Sequence, residues 1–469
     1  MNIDALRRRF SGEILTPDSP GYEAGRRLWN GMIDRKPAAI AYCRAPEDVT
    51  AAVQFSGEQN IYPAVRAGGH NVAGFALVED GLVIDISQMK AIQVDAGKQI
   101  AQSQTGLLWG EFDAATQAHG FATTGGVIST TGVAGLTLGG GVGWLMGRCG
   151  LSCDNTLSYD VVTSKAELVR ASDTENRDLF WALKGGAGNF GVVTSITFRL
   201  YPITTVISGF IFYPLTEGRD VLRRYRDFVT SGLPDELIVY AAVIRLPDGA
   251  PVVSIIPAFC GSELSAGESY IAELTRFGSV IANTTQRMPY TAMQKMLDPF
   301  APAGIRSYWK SNFLQTLSDD AIDAFVQFAA ACPSPQTFSI LEHSHGAAAR
   351  VPVSNTAFPV RSEGFDLVIL SLWQDPQHDA ENVQWTRAFY SAMRSWSAGS
   401  VYVNALSEDD SARVREAFGA NYNRLRKVKT AYDPSNRFRQ NQNIAPDGQQ
   451  PDLGVSTATS PAPISRPVL

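Results

Sequence analysis

Three short stretches of this sequence combine residue types that can do chemistry. Arg66-Ala-Gly-Gly-His70 follows the strand-like run at 61–65, and its paired glycines can hold a tight loop at positive φ with several amide N–H groups pointing one way. Such a loop is an anion nest suited to a pyrophosphate; a turn with a hydrogen-bonded histidine is the plainer reading of the same residues. Ser339-Ile-Leu-Glu-His-Ser-His345 reads as a strand. Its two-residue period puts Glu342 and Ser344 on one face and His343 and His345 on the other, so only one pair can line a pocket, and Glu342 or His343 is the candidate general base. A metal reading of His343 and His345 needs two further ligands that no spaced Cys, His or Asp set supplies; Cys149 and Cys153 are too poor a pair for zinc, and no metal is expected. In Val401-Tyr-Val-Asn404, strand alternation puts Tyr402 and Asn404 on one face. Tyr308-Trp309-Lys310 is open between a pocket wall with a cation and an ordinary strand, and His119 and His378 are given no catalytic role.

Two glycine-rich stretches set the local architecture around these groups. Gly186-Ala-Gly-Asn-Phe-Gly191 has the G-x-G-x-x-G spacing, but the dinucleotide mechanism needs a strand before it, a helix after it and a downstream acid. Here 178–184 reads as helix, 192–200 reads as strand, and 206–214 contains no acid. The glycines are therefore read as a helix-to-strand turn passing close to another backbone or a ligand. The charge-free stretch 127–147 is long enough to span a bilayer, yet seven of its residues are glycine, each costing a helix about 1 kcal/mol. It is read as backbone packed tightly against another surface.

The wider pattern supplies the elements that position these motifs. From about 36 to 205, glycine and short apolar runs such as 81–86 and 194–200 predict a mixed α/β region. From about 206 to 400, longer strands at 237–244 and 366–373 alternate with helices at 321–328 and 385–396, which predicts one sheet with helices covering a face. Val414, Phe418, Tyr422, Leu425, Val428 and Tyr432 trace one amphipathic helix, stopped by Asp433-Pro434. The basic residues at 413–439 are read as a solvated face, and 447–469 as a loose tail.

Composition excludes several classes. The 469 residues are 45% hydrophobic and 18% charged, so the bulk is a folded globular chain of two or three domains. A net charge of −6 leaves no footprint for nucleic acid. The five scattered cysteines suggest reduced thiols and a cytoplasmic setting, and the basic cluster Arg7-Arg8-Arg9 lacks the apolar run of a secretory signal. No membrane partner is expected, and oligomeric state is left unknown.

Taken in order, Arg66-Ala-Gly-Gly-His70, Gly132-Val-Ala-Gly-Leu-Thr-Leu-Gly-Gly-Gly141, Gly150-Leu-Ser-Cys-Asp-Asn155, the run 178–193 and Gln440-Asn-Gln-Asn-Ile444 closely resemble the berberine-bridge-enzyme-like FAD-linked oxidases. These belong to the vanillyl-alcohol oxidase and p-cresol methylhydroxylase superfamily, and the likeness runs from about 36 to 446, weakest in the middle. It implies an α+β fold: a two-subdomain FAD-binding PCMH-type domain at 1–205 with its core at 36–205, and an antiparallel-sheet substrate domain covered by helices at 206–400. A berberine-bridge-like C-terminal segment at 401–446 would return to the FAD domain, ahead of the tail.

The resemblance also implies FAD joined covalently through His70. The pyrophosphate would lie on Arg66, Ala67, Gly68, Gly69 and Asn71, and the flavin along Thr131, Gly132, Gly135, Leu138, Gly139, Gly140, Gly141 and Gly143. Asn189, Gly191, Val192 and Val193 would approach the adenine end, with Asn441 and Asn443 joining from the C-terminal segment. Members with two covalent links carry a cysteine where this chain has Ile128, so attachment through His70 alone is expected. Thr131 occupies a position that screens the flavin from dioxygen, often valine in oxidases and a bulkier aliphatic in dehydrogenases. The implied reaction is hydride transfer to flavin from an alcohol, amine or activated C–H of a small natural-product or sugar-like molecule, with dioxygen reoxidising the flavin to give hydrogen peroxide. Tyr402, Asn404, Glu342 and His343 are the implied catalytic groups. A flavin dehydrogenase using another acceptor and a non-catalytic flavin-binding homologue are the other readings.

Overall fold

A computed structural model describes residues 1–246 and 248–449. The short apolar runs of the first region form a four-stranded sheet in the order Ile14–Leu15, Ala39–Tyr42, Leu82–Asp85, Ala64–Arg66, the last three parallel. Helix Pro46–Glu58, begun by a proline whose missing N–H costs nothing at that position, buries Val49, Val53 and Phe55 in the same core as Leu82 and Ile84. Strand Ala64–Arg66 delivers the chain into the paired-glycine loop. The end of that strand is held by its own arginine: the Arg66 guanidinium donates to its buried register partner Asp85, to the Gly25 carbonyl at 2.5 Å and to the Tyr42 hydroxyl at 3.3 Å.

A second, antiparallel sheet runs Ile92–Asp95, Ile100–Gln104, Val192–Arg199, Thr156–Val162, Leu168–Ser172. Helix Arg177–Leu183 precedes its central strand, so the glycines at 185–191 sit in a helix-to-strand turn. The stretch 127–147 contains only the short helices Val133–Leu138 and Met146–Cys149, and no described helix is long and apolar enough to cross a membrane.

A large antiparallel sheet holds strands Leu237–Arg245, Pro251–Phe259, Phe338–Ser344, Gly364–Trp373 and Arg306–Leu314 among others. Its central strands are apolar on both faces because both faces are covered. In Leu237–Arg245, Leu237, Val239, Ala241 and Val243 pack under helices that include Gly218–Val229 and Asp319–Ala330, whereas Ile238, Tyr240, Ala242 and Ile244 face the other way, into the core shared with Trp144 and Met146. That second face carries the site.

The C-terminal apolar period does not form one helix. Val414–Phe418 and Tyr422–Tyr432 are separated by a tight turn at Gly419–Asn421, where Gly419 takes φ +48° and the Asn421 amide donates to the carbonyls of Val353, Thr356 and Ala357. The period survives the break because both pieces bury their apolar residues in one core with Leu183 and Phe190. Nor is the basic face wholly solvated. Lys429 is fully buried, donating to Asp433 at 2.7 Å and to the carbonyls of Asn189 and Phe438, which ties the segment back to the first region. Residues 450–469 of the expected tail lie outside the described residues.

Arg66→Ala would leave the Asp85 carboxylate buried and unpaired. We expect it to lower unfolding free energy by about 3–5 kcal/mol in denaturant titration; a loss below about 1 kcal/mol would show that the pair does not hold the loop.

Candidate functional site

Two loops touch through bare backbone. A Cβ on Gly68 would lie 2.5 Å from the amide nitrogen of Gly132, and one on Gly132 would lie 2.6 Å from that of Gly68. No side chain fits between them, so the two amide runs stand side by side. In front of this contact lies a cavity of about 260 Å³, walled by the loop 67–71, by Gly126 to Leu136 and by the large sheet. A further cavity of about 160 Å³ shares Ala67, Asn71, Gly135 and Asn404 with it and continues past Leu138, Ala187, Gly191 and Val193 to Asn441. Gly135 opens onto this space, with no atom within 4 Å of where its Cβ would stand.

At one end stands His70. Its Nε2 lies 3.0 Å from Thr130 Oγ1 and its ring stacks on Trp29 with centroids 5.1 Å apart. Burial pushes the imidazole down to about 4, so at neutral pH it is uncharged and nucleophilic. Where the second cavity ends, the Oδ1 atom of Asn441 is buried without a partner; Asn443, expected beside it, lines neither cavity. An amide cradle, a slot over a side-chain-free position, a neutral imidazole and an orphaned acceptor fit FAD in a shape no side chain of the protein fills.

Several expected cofactor residues do not reach this space. Arg66 points away into its pair with Asp85, so it positions the loop and leaves anion binding to the amides of Ala67, Gly68, Gly69 and Asn71. Gly139, Gly140, Gly141 and Gly143 stand behind the wall: a Cβ on Gly139 would meet Asn404 Oδ1, on Gly140 the Phe358 ring, on Gly141 Ser152, and on Gly143 the Gly125 carbonyl. Asn189 ties Gly186, Gln442 and Ile444 together, and Val192 is buried in the core of the first sheet. Thr131, Gly132, Gly135 and Leu138 do line the cavities.

Tyr402 and Asn404 meet at the cavity, though not on a strand. Val403–Ala405 is a tight helical turn, and Asn404 Nδ2 donates to Tyr402 Oη at 2.8 Å. The amides of Gly141 and Val142 donate to the same oxygen at 3.2 and 3.4 Å. Burial raises the phenol's pKa despite these donors, so its proton stays on. With its oxygen already accepting, the O–H is left to donate toward the cavity.

The strand Phe338–Ser344 puts the two candidates for the base on opposite faces. Phe338, Ile340 and Glu342 line the cavity. His343 is on the opposite face, stacked on His345 and packed against Phe365 under the helices, its imidazole pushed down to about 3 by burial and by His345. His343 is thus excluded as the base by the side it occupies. Glu342 has its carboxyl pushed up to about 8 by burial and by Asp366. From strand Arg306–Leu314, one strand beyond Gly364–Trp373, Trp309 adds an aromatic wall, while Tyr308 and Lys310 turn away to Asp409 and Asp410.

Trp29, Thr130 and Asp366 were not singled out from the sequence. Trp29 precedes the recognisable motif region and reaches His70 only through tertiary folding, and no local pattern marks it. Asp366 was legible only as the first residue of an apolar strand.

Comparison with known proteins agrees with this geometry. Residues 37–172 match a family model described as an FAD binding domain, and 401–445 one described as berberine and berberine like. An FAD-linked oxidoreductase of Dictyostelium discoideum is 31% identical over 450 residues, covering 95% of this chain and 97% of that one. The crystal structure of 6-hydroxy-D-nicotine oxidase from Arthrobacter nicotinovorans aligns with a TM-score of 0.83 at 26% identity, covering 93% of this chain and 98% of that one. The grass pollen allergen Phl p 4, which has glucose dehydrogenase activity, aligns at 0.85 over 95% of this chain and 99% of its own; at 21% identity that likeness speaks to the fold alone.

Gly135→Leu separates folding from cofactor binding. Leucine is the better helix former by about 1 kcal/mol, and its side chain would enter open space. We expect unchanged or slightly raised thermal stability of the cofactor-free chain together with loss of flavin absorbance in the purified protein; a fully yellow variant would place the flavin elsewhere.

Proposed function

The chain belongs to the berberine-like family of FAD-linked oxidoreductases, and on that premise we propose that it oxidises a small, largely apolar amine, alcohol or activated C–H compound, with FAD tethered to His70 and dioxygen as acceptor. The observation that carries this reading is one cavity with a neutral imidazole at one end and Tyr402 beside Glu342 at the other. Bound FAD supplies the two-electron acceptor, taking hydride at N5 and passing electrons on.

The protein supplies position, dryness and proton handling. His70, held by Thr130 and Trp29, presents an unprotonated ring nitrogen for attachment. Tyr402 donates a hydrogen bond to the substrate heteroatom and so orients the C–H to be broken, while Glu342 is placed to take the accompanying proton. Trp29, Trp309, Phe338, Ile340, Val368 and Leu370 keep water out, and so apolar a wall supports a natural-product-like substrate over a sugar. The relative that oxidises 6-hydroxy-D-nicotine supports the same direction. Thr131 has the branching and size of valine, which supports access of dioxygen, and the five free cysteines support a reducing compartment such as the cytoplasm.

A substrate panel under air with peroxide as readout tests the whole reading; flavin reduction without peroxide would point to another acceptor. His70→Ala is expected to release its yellow colour on acid precipitation, where the parent protein keeps colour in the pellet; a yellow His70→Ala pellet would place the covalent link elsewhere. Tyr402→Phe is expected to slow flavin reduction by roughly tenfold or more, as loss of an acid/base or orienting group does; an unchanged rate would remove the phenol from the reaction.

A further inference from the structure

A second carboxyl lies beside Glu342 that the reaction above does not use. Glu342 and Asp366 are register partners on the adjacent antiparallel strands Phe338–Ser344 and Gly364–Trp373. Directly opposed side chains leave one face of a sheet with Cβ atoms about 5 Å apart. Both carboxyls line a small space behind Tyr402 whose other walls include Met146, Leu151, Phe313 and Phe358. The neighbouring cations are committed elsewhere: Lys310 to Asp409 and Asp410, Arg361 to Asp154, Arg413 to Glu416. Among the described residues neither carboxyl forms an ion pair.

The remaining groups that face the pair are phenols, one hydroxyl and one distant guanidinium. Tyr240 flanks Glu342 from the strand on its other side, Tyr402 approaches from the C-terminal segment, and Tyr225 lies beneath the sheet with its hydroxyl spent on Val239 and Leu341 carbonyls. Ser311 donates to Asp366 at 2.7 Å, which favours charge on Asp366, and Arg413 acts on it in the same sense. Two opposed carboxyls in an apolar wall resist double ionisation, because the first charge repels the second and neither is solvated.

We propose that Glu342 and Asp366 share one proton at neutral pH, and that the single negative charge they retain selects a protonated amine as the substrate. The inference rests on the reading of Glu342 as the base and deepens it. The proton balance closes: the ammonium N–H proton passes to the pair, which goes from one proton to two, and the neutral amine regains the lone pair that hydride loss to flavin requires. Asp366 is a positioning residue that acts through Glu342. Burial holds both carboxyls above their ordinary range, Asp366 near 6 and Glu342 near 8, as a pair sharing a proton requires.

Infrared titration of the flavin-loaded protein reads the proton directly. A protonated-carboxyl band should vanish with a midpoint near 8 and be absent in Glu342→Gln. Asp366→Asn removes the repelling charge, so the midpoint should fall by about one pH unit or more. Ser311→Ala keeps both carboxyls and removes a donor to Asp366 that the one-proton and no-proton states share, so the midpoint should hold or rise slightly, and a fall would count against the pair. Benzylamine should perturb flavin absorbance at about tenfold lower concentration than benzyl alcohol, and the double variant Glu342→Gln/Asp366→Asn, which removes both carboxyls, should abolish that preference. A midpoint unmoved in folded Asp366→Asn would overturn the shared proton, and equal binding of the two probes would overturn the charge. Undiminished flavin reduction in Glu342→Gln would instead remove Glu342 as base while leaving the titration result standing.

Discussion

The site depends on one close approach, the contact of Gly68 with Gly132. Two chain segments more than sixty residues apart meet where neither can carry a Cβ, and this packs two runs of amide donors side by side at the mouth of the cavity. Everything that would hold a large anionic cofactor follows from that contact. Donors come from backbone and need no charged side chain, and the slot beyond stays open because Gly135 contributes nothing to it. The buried Arg66–Asp85 pair sets the angle at which the first of these loops leaves its sheet, so a charge with no view of the cavity still decides its shape.

Desolvation then gives each ionisable group its protonation state. The same burial lowers His70 and raises Glu342 and Tyr402, since it opposes whichever form is charged. The cavity therefore offers an uncharged imidazole at one end and a protonated phenol beside a carboxyl of raised proton affinity at the other, with no ion pair to Glu342 among the described residues. Lys310 illustrates how this is maintained. It lies on a strand that borders the cavity, yet it points to the other face and is paired with Asp409 and Asp410. A wall that keeps its one nearby lysine turned away is arranged to hold negative charge.

Much of this was legible in the sequence because local periods and ordered motifs report backbone. The strand through Glu342 and the helix-to-strand turn at 185–191 follow from spacing alone, and of the motif residues His70, Gly68, Gly69, Gly132 and Gly135 line one space whereas Gly139, Gly140, Gly141 and Gly143 do not. What was misread concerns the directions of side chains. A two-residue period separates Glu342 from His343 but does not say which face the helices cover, and that is a tertiary fact. Motif likeness put Arg66 in the anion loop because it adjoins the loop, whereas its guanidinium is used on the next strand. Tyr402 and Asn404 share the site through a tight turn, a geometry that brings residues two apart together as a strand face does. The break at Gly419 was hidden because both helical pieces serve one core and so keep one apolar period.

The C-terminal segment explains why the two halves of the site stay in register. Tyr402 is clamped by amides of Gly141 and Val142, and Asn404 is pressed against Gly139, so the phenol is built onto the stretch that also lines the cavity. Lys429 and Asn189 fasten the same segment further along, through buried bonds whose loss would strand charged or polar groups without partners. The segment thus measures the distance between the phenol and the cradle with backbone contacts at both ends. That measurement and the packing of Trp29 on His70 are what the chain itself offers to hold a ring bound in this space. A ring tethered through His70 alone, as proposed, would need such a rigid frame, because packing would then do the work of a second bond.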